Sequence, residues 1–190
     1  AFDALFRQKN LSEGETVFIH AVGSGVGTAA VQLTQSAGVR TIGTSRTGEK
    51  IERALELGLD VGILGDESWP DRVLEASGGK GVDLILGLVG GAYLKGNLRV
   101  LAQGGRQIVV GVPSGPKAEI DLRVLMGKRG LIKGTVLRAR PLEEKIILAR
   151  EFEDSVCPLF AARRAAPIVD RTFSPEDASE AHRYMEENRN

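Results

Sequence analysis

Short β-branched runs alternate along this chain with segments of helical period, the pattern of a parallel sheet whose strands are joined by crossover helices. The runs fall at 16–20, 40–45, 61–64, 82–89, 106–112 and 131–136 and predict six strands. Between the first two, Val26, Ala30, Leu33 and Ala37 recur three or four residues apart. That spacing gives one apolar face to a helix over 25–37, which Gly38 stops. Ile51, Ala54 and Leu55 do the same for a second helix ending near Gly58, and 69–76 reads as a third. The expected fold is α/β, a doubly wound parallel six-stranded sheet. After the sixth run the pattern changes to a long amphipathic stretch, 142–156, which Pro158 is expected to end. A last helix has Ser174 as N-cap and Pro175 in its first position, with Ala178, Ala181 and Met185 on one face. There is no internal repeat, low-complexity segment or linker.

Composition narrows the classes. With 25 basic and 25 acidic side chains, the 190-residue chain has no net charge to draw it toward nucleic acid or an anionic membrane, and neither partner is expected. Cys157 is the only cysteine and His20 and His182 are the only histidines, so no internal disulfide and no structural Cys/His zinc site can be assembled from them. No metal is expected, and the reducing cytoplasm is the expected compartment. No apolar run approaches the roughly 18 residues a membrane span needs, and residues 1–7 lack the charged-then-apolar order of a signal peptide.

The segment richest in chemistry is Ile19-His20-Ala21-Val22-Gly23-Ser24-Gly25-Val26-Gly27-Thr28, which joins the first predicted strand directly to the first predicted helix. Positions without side chains there let backbone N–H groups approach a pyrophosphate, and the helix N-terminus adds partial positive charge. The spacing departs from G-x-G-x-x-G, because Thr28 stands where a third glycine would follow Gly23 and Gly25. A tight strand-to-helix turn without a ligand is the alternative. The end of the second run favours the ligand reading. Where an NAD-binding domain places an acid on the ribose 2′-hydroxyl, this chain has Thr44-Ser45-Arg46-Thr47-Gly48-Glu49-Lys50. Ser45, Arg46 and Lys50 offer hydrogen bonds and charge to a 2′-phosphate, partly offset by Glu49, so NADP(H) is the expected cofactor. The competing reading is a solvated surface turn.

The stretch from His20 to Leu33, with Gly90-Gly91, Gly104-Gly105-Arg106, Leu137-Arg138-Ala139-Arg140 and Glu180-Ala181-His182-Arg183-Tyr184-Met185-Glu186, resembles the zinc-free quinone oxidoreductases of the medium-chain dehydrogenase/reductase superfamily. Within them it is most similar to the tumour-suppressor-induced type. The resemblance runs along essentially the whole chain, and in that family an Ala-x-x-Gly/Ser-x-x-Gly pattern, matched by Ala21, Ser24 and Gly27, replaces the usual fingerprint. It implies that residues 1–190 are a Rossmann-type dinucleotide-binding domain with a C-terminal helical extension. The family's preceding catalytic domain and terminal strand would then lie outside the chain.

The resemblance further implies that Ser24, Gly25, Val26 and Gly27 hold the pyrophosphate, and that Ser45, Arg46 and Lys50 hold the adenosine phosphate. Leu88 and Val89 would pack near the adenosine ribose, Gly111 and Val112 would face the nicotinamide, and Thr135, Val136, Leu137 and Arg138 would close the site. The family usually has Tyr or His where Gly65 stands, after an Asn that is Leu64 here, and commonly an Asp at the place of Gly87. Both departures point to a weaker hold on the cofactor.

Function follows as an expectation: an NADPH-dependent reductase of quinones or other electron-poor enones, inactive in the cofactor portion alone. The alternatives are an enoyl reductase module and a nucleotide-binding sensor without chemistry; a zinc alcohol dehydrogenase fits the loop less well. No Ser/His/Asp set or carboxylate pair stands out, so no catalytic residue is assigned, which suits chemistry carried by a cofactor. His20 reads as a structural histidine, Cys157 as buried and inert, and His182 as a packing residue. Arg138 and Arg140 either clamp a phosphate or sit in water. The sixth run, 131–136, is expected to join two copies edge to edge in a homodimer.

Overall fold

A computed structural model of the chain describes residues 1–8 and 11–187. Its strands are β1 Thr16–Ile19, β2 Arg40–Ser45, β3 Val61–Leu64, β4 Val82–Gly87, β5 Leu101–Val109 and β6 Leu131–Gly134. All pair in parallel, in the order β3-β2-β1-β4-β5-β6. Seven α-helices are described: α1 Gly25–Ser36, α2 Gly48–Glu56, α3 Trp69–Ala76, α4 Leu94–Val100, α5 Leu122–Lys128, α6 Leu142–Ala161 and α7 Ala178–Glu186. This is the expected doubly wound Rossmann-type architecture. The strand order reverses direction between β1 and β4, and in such sheets the crevice at the carboxyl ends of the strands opens there.

Alternation along the strands sends successive side chains to opposite faces. Val17, Ile19, Leu84, Leu86 and Ile108 pack with Ala30 and Leu33 of α1 and Ala54 of α2. Phe18, Ile42, Ile63 and Ile85 face the other way, onto Trp69 and Val73 of α3 and Val100 of α4. Phe18, Ile19, Ile42, Leu84, Ile85 and Leu86 are fully buried, each contributing about 1.5–3 kcal/mol by leaving water.

Several boundaries differ from the hydropathy pattern. Four strands stop short of their apolar runs, β1 at Ile19, β4 at Gly87, β5 at Val109 and β6 at Gly134. At the end of β5 the amides of Val110 and Gly111 converge on the single carbonyl of Gly87, which ends regular pairing. At its other end β5 starts five residues early: Val82 pairs with Leu101 but Leu84 with Arg106, so residues 102–105 bulge opposite Asp83. Arg106 anchors the bulge through two 2.7 Å bonds to Glu15.

Pro158 lies inside α6 rather than ending it. It cannot donate to the preceding turn, but the next turn closes again, with the Ala162 amide 3.0 Å from the Pro158 carbonyl. Cys157 is exposed, contrary to expectation. Val156 is the one residue of α6 that is buried, and its neighbour is turned about 100° round the helix, away from the core. Ser174 has the extended backbone of an N-cap, but its hydroxyl donates to the Asp177 carboxylate and the first turn, Pro175–Asp177, is a 3-10 turn. The Ala178 and Met185 side of α7 is exposed, and so is His182, because α7 is held by Tyr184 on Asp170 and by the Phe173 ring rather than by the sheet.

Candidate functional site

The carboxyl end of β1 runs into a loop whose shape is set by close approaches. Ala21 adopts a left-handed backbone, φ 50°, uncommon for a residue with a side chain. The Ala21 carbonyl accepts from the Ser24 amide at 2.8 Å, and the Val22 amide donates to the Thr44 carbonyl at 2.9 Å. Ser24 caps α1, its hydroxyl accepting from the Gly27 amide at 3.1 Å. A Cβ on Gly27 would fall 2.2 Å from the Ala21 carbonyl oxygen, so only glycine lets the helix start this close to the strand. Gly25 is the opposite case: a Cβ there would meet nothing within 4 Å. The first-turn amides at Gly25 and Val26 have no acceptor within the helix. The loop therefore offers N–H groups beside an open space.

At the end of β2, Thr44 and Ser45 are buried and Arg46 is exposed. Thr47 caps α2, and the stem of Lys50 runs along the glycine loop, since a Cβ on Gly23 would lie 2.8 Å from Lys50 Cδ. Ser24 to Gly27 and Lys50 are thus brought together, with Ser45 and Arg46 on the adjoining strand end. Two nearby acids are already engaged, Glu49 with Arg53 and Asp66 with Arg72, each at 2.7 Å.

Leu88 and Val89, after β4, are half-buried against the segment after β5. The Ser114 amide donates to the Val89 carbonyl at 2.8 Å and the Gly91 amide to the Gly115 carbonyl at 2.9 Å, while Gly111 lies beside Leu88. Val112 is exposed. Residues 135–138 occupy the far end of this rim. Thr135 turns its hydroxyl to the Asp3 carboxylate at 3.1 Å and lines a polar cavity of about 370 Å³ with Arg7, Gln8 and Arg140. Val136, Leu137 and Arg138 are exposed, and they follow β6 at the same carboxyl end of the parallel sheet as the glycine loop. Arg140 does neither of the two things its sequence allowed: it pairs with Asp3.

Beneath the glycine loop lies a polar core built on His20. This side chain is fully buried, with Nδ1 3.0 Å from the Thr44 hydroxyl and Nε2 2.6 Å from Asn97 Oδ1. A neutral ring protonated at Nε2 satisfies both partners, the Thr44 hydroxyl donating to Nδ1. Burial pushes His20 down to about 4, against the opposing pull of the Asn97 hydrogen bond. Phe18, Trp69 and Tyr93 surround the ring. The one sequence signal for Asn97 is its place one helical turn after Tyr93, which puts both on one face.

A Rossmann-type sheet with a glycine loop at its switch point defines the class, and comparison with known proteins gives the family. Residues 25–152 match the zinc-binding dehydrogenase family. The chain belongs to that family, as the cofactor-domain portion of a medium-chain dehydrogenase/reductase. It is 31% identical over 183 residues to the quinone oxidoreductase of Sus scrofa, covering 94% of this chain and 53% of that protein. It superimposes on an NAD-dependent alcohol dehydrogenase with a TM-score of 0.83, at 27% identity, covering 99% of this chain and 52% of the other. A polyketide synthase domain described as a putative enoyl reductase gives 0.74 at 27% identity, covering 90% and 95%. The chain spans about half the length of the curated quinone oxidoreductases it matches. Among the described residues no three His, Cys, Asp or Glu side chains are placed to hold a metal ion. No helix among them is long and apolar enough to cross a membrane.

Proposed function

We propose that this chain is the cofactor-binding part of a cytoplasmic, zinc-free NADPH-dependent reductase acting on quinones or other electron-poor enones. The observation that carries the reading is the glycine loop, in which Gly27 is packed against the Ala21 carbonyl while Gly25 faces open space beside first-turn amides. That arrangement fits a pyrophosphate at Ser24, Gly25, Val26 and Gly27. Ser45, Arg46 and Lys50 take the adenosine 2′-phosphate, in a setting where Glu49 and Asp66 are already paired. Leu88 and Val89 bound the adenosine ribose, and Gly111 and Val112 the nicotinamide. Thr135, Val136, Leu137 and Arg138 close the site from the end of β6. A reduced nicotinamide, when bound, supplies hydride; this chain's part is to bind and orient it. Homodimers form through β6, which ends the sheet and pairs only with β5 among the described strands.

An enoyl reductase is the second reading, favoured by the polyketide synthase domain that this chain matches over nearly that domain's whole length. Both reactions add hydride to an electron-poor carbon. The test is NADPH oxidation, with a simple quinone and separately with an enoyl thioester, by the whole enzyme whose cofactor-binding part this chain is proposed to be. Arg46→Ala should weaken NADPH binding about 10- to 150-fold, as loss of a charged hydrogen bond does, and leave NADH nearly unchanged. Equal affinity for the two cofactors in the unmutated protein overturns the cofactor assignment, and turnover of neither acceptor overturns the reaction.

A further inference from the structure

The crevice end of β2 and β3 is bare on one side. The Gly65 amide donates to the Ser45 carbonyl at 2.8 Å, and Gly65 presents no side chain over it. A Cβ at Gly65 would lie 3.4 Å from the Ser45 carbonyl oxygen and 3.6 Å from the Tyr93 hydroxyl. A hydrogen-bond acceptor seated over Gly65 is within reach of the Tyr93 hydroxyl.

Tyr93 is held for such a contact. It follows Gly90, whose φ of 108° turns the chain sharply out of β4, and it ends the 3-10 turn Gly91–Tyr93. Its ring stacks on Trp69 at 5.6 Å with 11° between the planes, and meets the buried His20 ring edge-on at 4.9 Å. Two aromatic neighbours fix the ring, so the position of its hydroxyl is fixed as well. Tyr93 is half-buried, and its hydroxyl makes no hydrogen bond with the described residues. A phenol held rigidly with its polar tip unspent can bind a ligand with little loss of side-chain entropy.

We infer that Tyr93 is a cofactor-selecting residue, donating its hydroxyl across the bare face of Gly65 to the adenosine 2′-phosphate. The inference rests on the reading of the crevice as a nicotinamide dinucleotide site and adds to Ser45, Arg46 and Lys50 a neutral donor from the far side of the sheet's switch point. The phosphate is the favoured acceptor over a free hydroxyl because hydrogen bonds to charged groups are the stronger ones and the carboxylates described nearby, Glu49 and Asp66, are both engaged by arginines.

The test is Tyr93→Phe, which keeps the ring and its stacking, with dissociation constants for NADPH and NADH measured by fluorescence titration. The expected result is a loss of about tenfold for NADPH and less than about twofold for NADH, with an unchanged melting temperature. Gly65→Leu, whose Cβ alone comes within 3.6 Å of the Tyr93 hydroxyl, fills the gap and should show the same asymmetry. NADPH affinity unchanged in Tyr93→Phe, or equal losses for both cofactors, overturns the assignment and leaves Tyr93 a packing residue. If Arg46→Ala weakens NADPH while Tyr93→Phe does not, this inference alone fails. If the unmutated protein binds neither cofactor, the functional reading fails with it.

Discussion

The Arg140 guanidinium closes on the Asp3 carboxylate with two bonds, Nη1 to Oδ1 at 3.0 Å and Nη2 to Oδ2 at 2.6 Å, tying the first turn of the chain to the segment leaving β6. Their side chains are 13% and 17% exposed, and Thr135 and Gln8 complete the cluster. Burial alone would raise the Asp3 carboxyl, but hydrogen bonds from Arg140, Gln8 and Thr135 outweigh it and hold the group below the usual carboxylate range. The stabilisation is present above the unfolded carboxylate value and is lost as pH falls through the lowered folded one. Asp3→Asn should cost about 2–3 kcal/mol in urea unfolding at neutral pH, less than a fully buried pair because both partners keep some water. A double-mutant cycle with Arg140→Ala measures the coupling, and independent, additive losses would show that the pair contributes nothing.

His20 predicts a separate pH effect. Its folded value is lowered to about 4 from the ordinary 6.5, so the unfolded chain binds the extra proton first as pH falls. Stability should be full above about 6.5 and fall by roughly 3 kcal/mol between there and 4, since a tenfold difference in proton affinity is worth about 1.4 kcal/mol. Urea unfolding across this window checks the slope, and His20→Phe should flatten it whatever its effect at neutral pH.

Gly25 and Gly27 separate folding from binding. Gly27→Ala forces a methyl to 2.2 Å from a backbone oxygen, and should lower the melting temperature by several degrees and abolish dinucleotide binding. Gly25→Ala meets no protein atom within 4 Å, so it should melt as the unmutated protein does and yet bind NADPH about tenfold more weakly, because the methyl enters the space proposed for the pyrophosphate. Differential scanning fluorimetry with and without NADPH distinguishes the two. Undiminished binding in Gly25→Ala would count against the loop as the pyrophosphate site.

The edge of the sheet supplies the last prediction. Leu131 and Ile132 are half-buried on β6, and Val136, just past its end, is 58% exposed. Ile132→Lys should convert a dimer into a monomer in sedimentation velocity while NADPH binding persists. A monomer for the unmutated protein at high micromolar concentration defeats the edge-pairing proposal.

By itself the sequence determined the six strands, the first three helices and the glycine loop, because each is written in neighbouring residues. The short β-branched run from Thr16 to Ile19, the apolar face from Val26 to Leu33, and the side-chain-free spacing of Gly23, Gly25 and Gly27 are local signals that need no partner to be read. His20 was legible as a structural histidine for the same reason, since it continues a buried strand. Its partners were not: Asn97 lies 77 positions away, and Asp3 lies 137 from Arg140. Such pairs exist only once the chain has wound twice round the sheet. Tertiary structure also decided that β5 bulges opposite Asp83, that α6 continues through Pro158 and that Cys157 faces out. Each depends on which neighbour packs against the segment, and hydropathy along one chain carries no record of that neighbour. Tyr93 shows the same division most sharply: an aromatic residue four before Asn97 in the sequence, it becomes a candidate ligand contact only because the sheet places its hydroxyl beside Gly65, just past the end of β3.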